Sequence, residues 1–200
     1  MLGAVLAGGR SSRMGVDKAA IEVDGVTMFD RVVAALRHAG CSPVVSVGGR
    51  SRPSVDHVAD LHPQEGPLGG IVTALAHAGE LEAEAVVVVA CDMPSLSGRT
   101  ISQLVEAHRS GGGRVVAGEG ERVEPMCALW PVAIATEVND MFESGERSVA
   151  RVLDRLVPIV VPVGASVLAN INTPEELRRL TDVAVDTADV DRPSGSRGLR

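Results

Sequence analysis

The chain has 200 residues, of which 45% are hydrophobic, and a formal net charge of −7. This length suits a single domain, and the apolar share excludes a disordered protein. The acidic balance argues against nucleic acid as a partner, because nucleic-acid-binding proteins usually present a basic surface.

The spacing of the cysteines and the hydropathy of the chain indicate the cellular compartment in which the protein is expected. The three cysteines lie far apart in the sequence, which excludes a zinc motif or a disulfide framework and indicates a reducing environment. No apolar run is long enough to cross a membrane, and no signal peptide is recognisable. We therefore expect a soluble, cytoplasmic protein without a membrane partner.

Short apolar segments alternate with longer amphipathic ones along the chain. In chain order, this pattern predicts a strand at 2–7, a helix at 27–39, strands at 43–47 and 55–59, a helix at 68–78, a strand at 85–90, a helix at 97–109, strands at 114–117 and 126–130, helices at 132–142 and 149–156, a strand at 158–163 and a helix at 173–180. The alternation predicts an α/β fold with a mostly parallel twisted sheet and helices on both faces. Residues 1–181 form the predicted domain, and the polar, turn-rich residues 182–200 a flexible tail.

The first predicted strand leads into a glycine-rich segment with three positive charges, at Arg10, Arg13 and Lys18. Glycines allow backbone N–H groups to approach an anion closely. Lys18 is the only lysine among nineteen lysine and arginine residues, which indicates either a need for a compact ammonium group or the chance survival of one lysine. The spacing fits neither a Walker loop nor a dinucleotide fingerprint. A polyphosphate site and an ordinary glycine-rich surface turn are the two interpretations.

A carboxylate, Asp92, directly follows the strand predicted at 85–90. Ligands of open α/β sheets bind beyond the carboxyl ends of the strands, and a carboxylate there suits Mg²⁺ bound to substrate phosphates. The alternative is that Asp92 caps the helix that follows. With the metal interpretation, Lys18 and Asp92 would hold a nucleoside triphosphate from two sides.

Two other segments have both a ligand-binding and a turn-forming interpretation. The glycine-rich residues 66–70 can bring backbone close to a flat base, or can simply form a tight turn into a helix. Asn170 and Asn172 can hold phosphate or metal-bound water, or can form a turn.

Taken together, these motifs resemble the glycine-rich nucleotidyltransferases, and among them the molybdenum cofactor guanylyltransferase family. The resemblance extends over nearly the whole chain up to Leu180. It rests on the order and approximate spacing of the segments at 6–9, 13–15, 17–18, 66–70, 91–94, 124–129 and 170–177.

This resemblance implies a Rossmann-like domain that uses Mg²⁺ to join GMP from GTP to molybdenum-bound molybdopterin, with release of pyrophosphate. Other molybdenum cofactor biosynthesis proteins are possible partners. The implied catalytic residues are Lys18, Arg13 and Asp92, and Asp92 would also ligate the metal. The implied nucleotide-binding residues are Leu6, Ala7, Gly8, Gly9, Lys18, Asp60, Pro67, Leu68, Gly69 and Asp92, with weaker phosphate or acceptor contacts at Asn170 and Asn172. Asp60 matches only if a one-residue gap precedes Gly66.

One position departs from the family pattern. Similar enzymes often carry an asparagine at the end of the second strand of the sheet, where this chain has Val47 followed by Gly48 and Gly49. The alternatives to a molybdenum cofactor guanylyltransferase are a molybdenum cofactor cytidylyltransferase or another small-phosphate nucleotidyltransferase. A non-catalytic nucleotide sensor is disfavoured, because both Lys18 and Asp92 are present.

Overall fold

The computed structural model describes residues 1–8 and 17–170. The expectations for Gly9, Arg13 and Asn172, for the last predicted helix, and for the boundary between a domain and a tail at 181–182 lie outside the described residues.

Nine strands and five α-helices make up the described part of the chain. The strands are β1 Leu2–Leu6, β2 Glu22–Val23, β3 Val26–Thr27, β4 Val44–Val47, β5 Asp56–Val58, β6 Ala85–Ala90, β7 Val116–Glu119, β8 Val123–Pro131 and β9 Ile159–Pro162. The helices are α1 Met28–His38, α2 Pro67–Glu80, α3 Gly98–Ser110, α4 Ala135–Glu143 and α5 Val149–Leu156. Short 3₁₀ turns occupy Lys18–Ala20 and Val132–Ile134.

Seven strands form one sheet in the order β5-β4-β1-β6-β8-β7-β9. The pairs β4–β5, β1–β4, β1–β6 and β7–β9 are parallel, whereas β8 is antiparallel to both β6 and β7. Strand β8 alone therefore runs against the other strands of this sheet. The predicted α/β class with a mostly parallel sheet is confirmed.

Helices cover both faces of the sheet, and the alternation of side chains along β6 shows how. Val86 and Val88 pack into a core with α2, α4 and α5, while Val87 and Val89 pack into a second core with α1 and α3. All four valines are fully buried. The continuous β-branched run thus forms a central strand with an apolar layer on either side.

Polar caps fix the starts of three helices. The side chain of Thr27 accepts a hydrogen bond from the backbone N–H of Asp30, and Ser97 and Ser148 cap α3 and α5 in the same way. Helix α2 instead begins at Pro67 after Gly66, which has a φ of +88° and no side chain that could cap the helix.

Within the two described ranges, no helix combines the length and the hydropathy that crossing a bilayer would need.

The structure differs from the sequence-based prediction in two places. The hairpin β2–β3 was not predicted, since each of its strands has only two residues. The sequence feature that indicates this hairpin is the Asp24–Gly25 pair in its turn, whose φ values are +52° and +75°. The helix predicted at 132–142 begins instead as a 3₁₀ turn that follows Pro131, and α4 starts at Ala135.

Candidate functional site

The carboxyl ends of three adjacent parallel strands form the floor of a cleft. Leu6 at the end of β1 is in register with Val47 of β4 on one side and with Ala90 of β6 on the other. The chain leaves β1 for β4 and returns later to β6, so the strand order reverses beside β1. Such switch points are where open α/β sheets bind ligands. Two adjoining cavities lie here, and both are lined by Leu6, Gly8 and Pro67.

The smaller cavity, of about 190 Å³, contains most of the charged groups. Besides the shared residues it is lined by Ala7, Asp17, Lys18, Ala19, Ala90, Cys91, Asp92 and Met126. Lys18 comes from the 3₁₀ turn after the glycine-rich segment, and Asp92 follows β6. The structure brings these two side chains together. Nζ of Lys18 lies 3.3 Å from Oδ2 of Asp92, and each side chain is 20% exposed.

A second ion pair holds the turn that carries Lys18. Oδ1 of Asp17 accepts a hydrogen bond from the backbone N–H of Ala19 at 3.2 Å, and Oδ2 accepts one from Nη2 of Arg52 at 2.7 Å. The guanidinium carbon of Arg52 lies 4.9 Å from the centre of the ring of Phe29, a fully buried residue of α1. Arg52 therefore connects the lysine turn to the core of the protein.

The role of Arg52 was missed by the sequence analysis. It lies 35 residues from Asp17, within the connection between β4 and β5, and no motif surrounds it. Only the three-dimensional approach of this connection to the lysine turn brings the two residues together.

The larger cavity, of about 570 Å³, has mostly apolar or glycine walls. Besides the three shared residues it is lined by Val47, Asp60, Gln64, Gly66 and Gly70. Asp60 and Gln64 are thus its two polar side chains among the described residues. A cavity with mostly apolar walls and a few polar groups suits a heteroaromatic ring.

Asp60 is held in place by its own loop and by α2. Its Oδ1 accepts a hydrogen bond from the backbone N–H of His62 at 2.9 Å and lies 3.2 Å from the hydroxyl of Thr73. The backbone N–H of Leu61 also donates to that hydroxyl, at 3.1 Å. Because these contacts all involve Oδ1 and the loop backbone, Oδ2 keeps its capacity to accept a hydrogen bond from a ligand.

The two glycines after β4 allow close backbone contact between this segment and the end of β1. Gly48 and Gly49 have φ values of +64° and +70°. A Cβ atom on Gly49 would lie 2.4 Å from the carbonyl oxygen of Ala7, which is far inside van der Waals contact. Val47, the position of the departure from the family pattern, lies in the wall of the larger cavity and is buried.

The structure brings together many of the predicted site residues. Leu6, Ala7, Gly8, Lys18, Pro67 and Asp92 line the smaller cavity, and Asp60 lines the larger one. Leu68 has its side chain fully buried in the core, and Gly69 is packed against His62. For these two, only backbone groups at the start of α2 remain to meet a ligand.

Asn170 does not line either cavity in the part of the chain that is described. Its side-chain oxygen Oδ1 is buried, and no hydrogen-bond partner for it lies within residues 1–8 and 17–170.

Cys91 lies beside Asp92 but does not supply a nucleophile. Burial and, to a smaller extent, the carboxylates of Asp92 and Asp17 together raise the pKa of its thiol to about 12, although the guanidinium of Arg52 lowers it. The thiol therefore stays protonated near neutral pH, and the thiolate is the reactive form of cysteine.

The donor set in the cleft restricts which metal it can hold. No group of three or more histidine, cysteine, aspartate or glutamate side chains that could bind a metal occurs among the described residues. Mg²⁺ commonly uses one or two carboxylates and completes its shell with water and substrate phosphates. Asp92 therefore fits a Mg²⁺ ion that binds together with a nucleotide.

Comparisons with known proteins agree with this geometry. The molybdenum cofactor guanylyltransferase of Xanthomonas euvesicatoria is 38% identical over 183 residues, which cover 89% of this chain and 93% of that relative. The probable molybdenum cofactor guanylyltransferase of Opitutus terrae is 37% identical over 161 residues, which cover 78% and 79%. The solved structure of the molybdopterin-guanine dinucleotide biosynthesis protein A of Archaeoglobus fulgidus has a TM-score of 0.72 at 25% identity, covering 93% of this chain and 100% of that one.

A protein-family model described as the MobA-like NTP transferase domain matches residues 3–160, which extend from the second residue of β1 to the second residue of β9 and include every residue that lines the two cavities. The chain belongs to the MobA-like NTP transferase domain family.

Proposed function

We propose that the protein transfers GMP from GTP to the molybdenum–molybdopterin cofactor and releases pyrophosphate. The observation that carries this proposal is the Lys18–Asp92 pair, which lies in a charged cavity that adjoins a second, larger and mostly uncharged cavity. The names of the curated relatives support the choice of guanine and of the acceptor.

In this proposal the base occupies the larger cavity. Leu6, Val47 and the glycines offer it uncharged walls, and Oδ2 of Asp60 can accept hydrogen bonds. Guanine presents two adjacent donors, N1–H and the 2-amino group, which a carboxylate accepts. Cytosine and adenine present a donor next to a ring-nitrogen acceptor, which a carboxylate repels.

The triphosphate then occupies the smaller cavity, where Lys18 donates to its oxygens. Asp92 would hold Mg²⁺, which when bound neutralises part of the phosphate charge. Asp17 and Arg52 keep the lysine turn in position.

The reaction needs alignment more than acid–base chemistry. A phosphate oxygen of the acceptor forms a bond to the α-phosphorus of GTP, and the bond between that phosphorus and the bridging oxygen of the pyrophosphate breaks. The step involves no oxidation or reduction, and the electron pair of the broken P–O bond leaves with the pyrophosphate as negative charge. Lys18 stabilises the negative charge on the phosphates, and the cleft walls hold the reactants in line.

We also propose that the protein works in the cytoplasm, with other proteins of molybdenum cofactor biosynthesis as partners. Cys41, Cys91 and Cys127 are all unpaired thiols, which suits a reducing compartment.

The test compares nucleotides and then measures transfer. The midpoint of thermal unfolding is followed with GTP, CTP or ATP, with and without Mg²⁺, and transfer to the cofactor is measured with the nucleotide that binds. GTP at 100 times its dissociation constant should add about 2.7 kcal/mol to the free energy of unfolding. A larger effect of CTP, with cytidylyl transfer, would assign the protein to the cytidylyltransferases. Binding of GTP without any transfer would support the nucleotide sensor.

A further inference from the structure

Gln64 has a backbone conformation that its side chain does not favour. Its φ is +69°, and it follows Pro63 in a turn closed by a hydrogen bond from the backbone N–H of Glu65 to the carbonyl of His62 at 3.2 Å. Proline at the second position and a positive φ at the third are the pattern of a type II β-turn, whose third residue is normally glycine. Glutamine at this position is therefore strained.

The surrounding contacts hold this turn on both sides. Before it, Asp60 is bonded to the backbone N–H of His62. After it, Oε2 of Glu65 accepts a hydrogen bond from Nη2 of Arg147 at 2.5 Å. The guanidinium of Arg147 lies 3.9 Å from the centre of the Phe142 ring, whose other neighbour is the His62 ring at 4.4 Å. The turn is thus held by contacts within the protein itself, and strain kept in this way often marks a functional position.

The side chain of Gln64 makes no hydrogen bond to any other described residue, although the residues on both sides of it are bonded. Gln64 lines the larger cavity together with Asp60. Its carboxamide provides two N–H donors and one acceptor oxygen, whereas the carboxylate of Asp60 can only accept. The two polar groups of this cavity are therefore chemically complementary.

We propose that Gln64 is a specificity-determining residue that hydrogen-bonds the base of the bound nucleotide. This inference rests on the proposed guanylyl transfer. Asp60 faces the donors of guanine, N1–H and the 2-amino group, and the Gln64 amide donates to the adjacent acceptors, O6 or N7. The strained turn keeps a glutamine where glycine would be more stable, because glycine could not contact the base.

The test uses the opposite effects expected on stability and on binding. Gln64→Gly removes both the strain and the side chain, so it should raise the midpoint of thermal unfolding and weaken GTP binding by about tenfold. The matched control is Glu82→Gly. Glu82 is also an exposed residue with a positive φ, +52°, but it follows α2 and lines neither cavity. This control should also gain stability, while its GTP affinity should equal that of the wild type.

Two further ligands locate the contact. ITP keeps O6, N7 and N1–H but lacks the 2-amino group, so Gln64→Gly should weaken its binding as much as that of GTP. Inorganic triphosphate has no base, and its binding should not change. Equal weakening of triphosphate binding would overturn the inference, because the contact would then be with the phosphates.

The failure of this inference can be told apart from the failure of the proposed function. Wild-type protein that prefers CTP to GTP would overturn both. Wild-type protein that binds GTP tightly and transfers GMP, together with a Gln64→Gly variant of unchanged GTP affinity, would overturn only the role of Gln64.

Discussion

Nζ of Lys18 lies 3.3 Å from Oδ2 of Asp92, although 74 residues separate the two in the sequence. The parallel register of β1 and β6 accounts for this approach, because Leu6 and Ala90 are paired at the ends of the two strands. Both side chains are partly exposed, so this pair contributes about 1 kcal/mol or less to the free energy of unfolding. The role that we propose for the pair is to bind phosphates and Mg²⁺ in the cleft.

Lys18→Arg should therefore keep the fold and lose most of the transfer activity. The guanidinium is larger and planar, and a displacement of the phosphates by about 1 Å lowers the rate by roughly 100-fold. Lys18→Ala should lose GTP binding as well. The measurements are guanylyl transfer and circular dichroism, with Arg37→Lys on α1 as a control exchange of the same two residue types. A Lys18→Arg enzyme with the wild-type rate would show that any cation suffices.

Asp92→Asn should keep the shape of the cleft and lose the dependence of GTP binding on Mg²⁺. The amide lacks the charge that holds the cation beside the phosphates. GTP affinity is measured over a range of Mg²⁺ concentrations for both proteins, and transfer should fall by at least about 100-fold. If GTP binding to the variant keeps the wild-type response to Mg²⁺, Asp92 is not the ligand.

Arg52→Met should slow transfer by about tenfold or more, because the lysine turn loses its link to the core. A residue that only stabilised the fold would change the unfolding midpoint without changing kcat of the folded enzyme. Arg52→Lys should restore part of kcat, since it can still bond to Asp17. The matched control is Arg31→Met, which breaks the Asp24 ion pair outside the cleft. Equal kcat values for both methionine variants would contradict the positioning role.

Gly49→Ala should destabilise the protein more than Gly40→Ala. Both glycines have a positive φ, which costs an alanine about 1–2 kcal/mol. A Cβ on Gly40 meets nothing within 4 Å, whereas one on Gly49 lies 2.4 Å from the carbonyl oxygen of Ala7. Urea unfolding measures the difference, and GTP affinity should fall only in Gly49→Ala, since the end of β1 must move. Equal destabilisation would show that the backbone relaxes without cost.

The lowered pKa of Glu146 predicts that the free energy of unfolding decreases in acid. Hydrogen bonds from the Arg151 side chain and from the backbone N–H groups of Ser148 and Arg147 lower the pKa of this carboxyl from 4.5 to about 2. The folded state therefore binds a proton less readily than the unfolded state, so this stabilisation is complete above pH 4.5 and is lost as the pH falls towards 2. The stability difference between the wild type and Glu146→Gln should shrink over that range. A constant difference would contradict this prediction.

The location of the site could be predicted from the sequence because it follows from topology. Parallel strands place their carboxyl ends at one edge, so Lys18, which follows β1 in the chain, and Asp92, which follows β6, come together there. The helix starts predicted at 27 and 97 lie one residue before those of α1 and α3, because Thr27 and Ser97 are the residues that cap these helices.

The remaining contacts depend on packing that leaves no periodic pattern in the sequence. Arg52 and Asp17 belong to segments that approach each other only in the folded protein, as do Glu65 and Arg147. Leu68 was expected at the nucleotide because of its glycine neighbours. Since α2 already starts at Pro67, the Leu68 side chain is buried in the core, and only its backbone groups can meet a ligand.

The reversed direction of β8 has a consequence for how such a protein can change in evolution. Because β8 is antiparallel, it brings its first residues to the cleft edge, where Met126 reaches the smaller cavity. The short connection between β7 and β8, at 120–122, therefore projects from that same edge. Insertions there lengthen a surface hairpin without moving β1, β4 or β6. The surroundings of the cleft can thus be remodelled independently of the strands that form its floor.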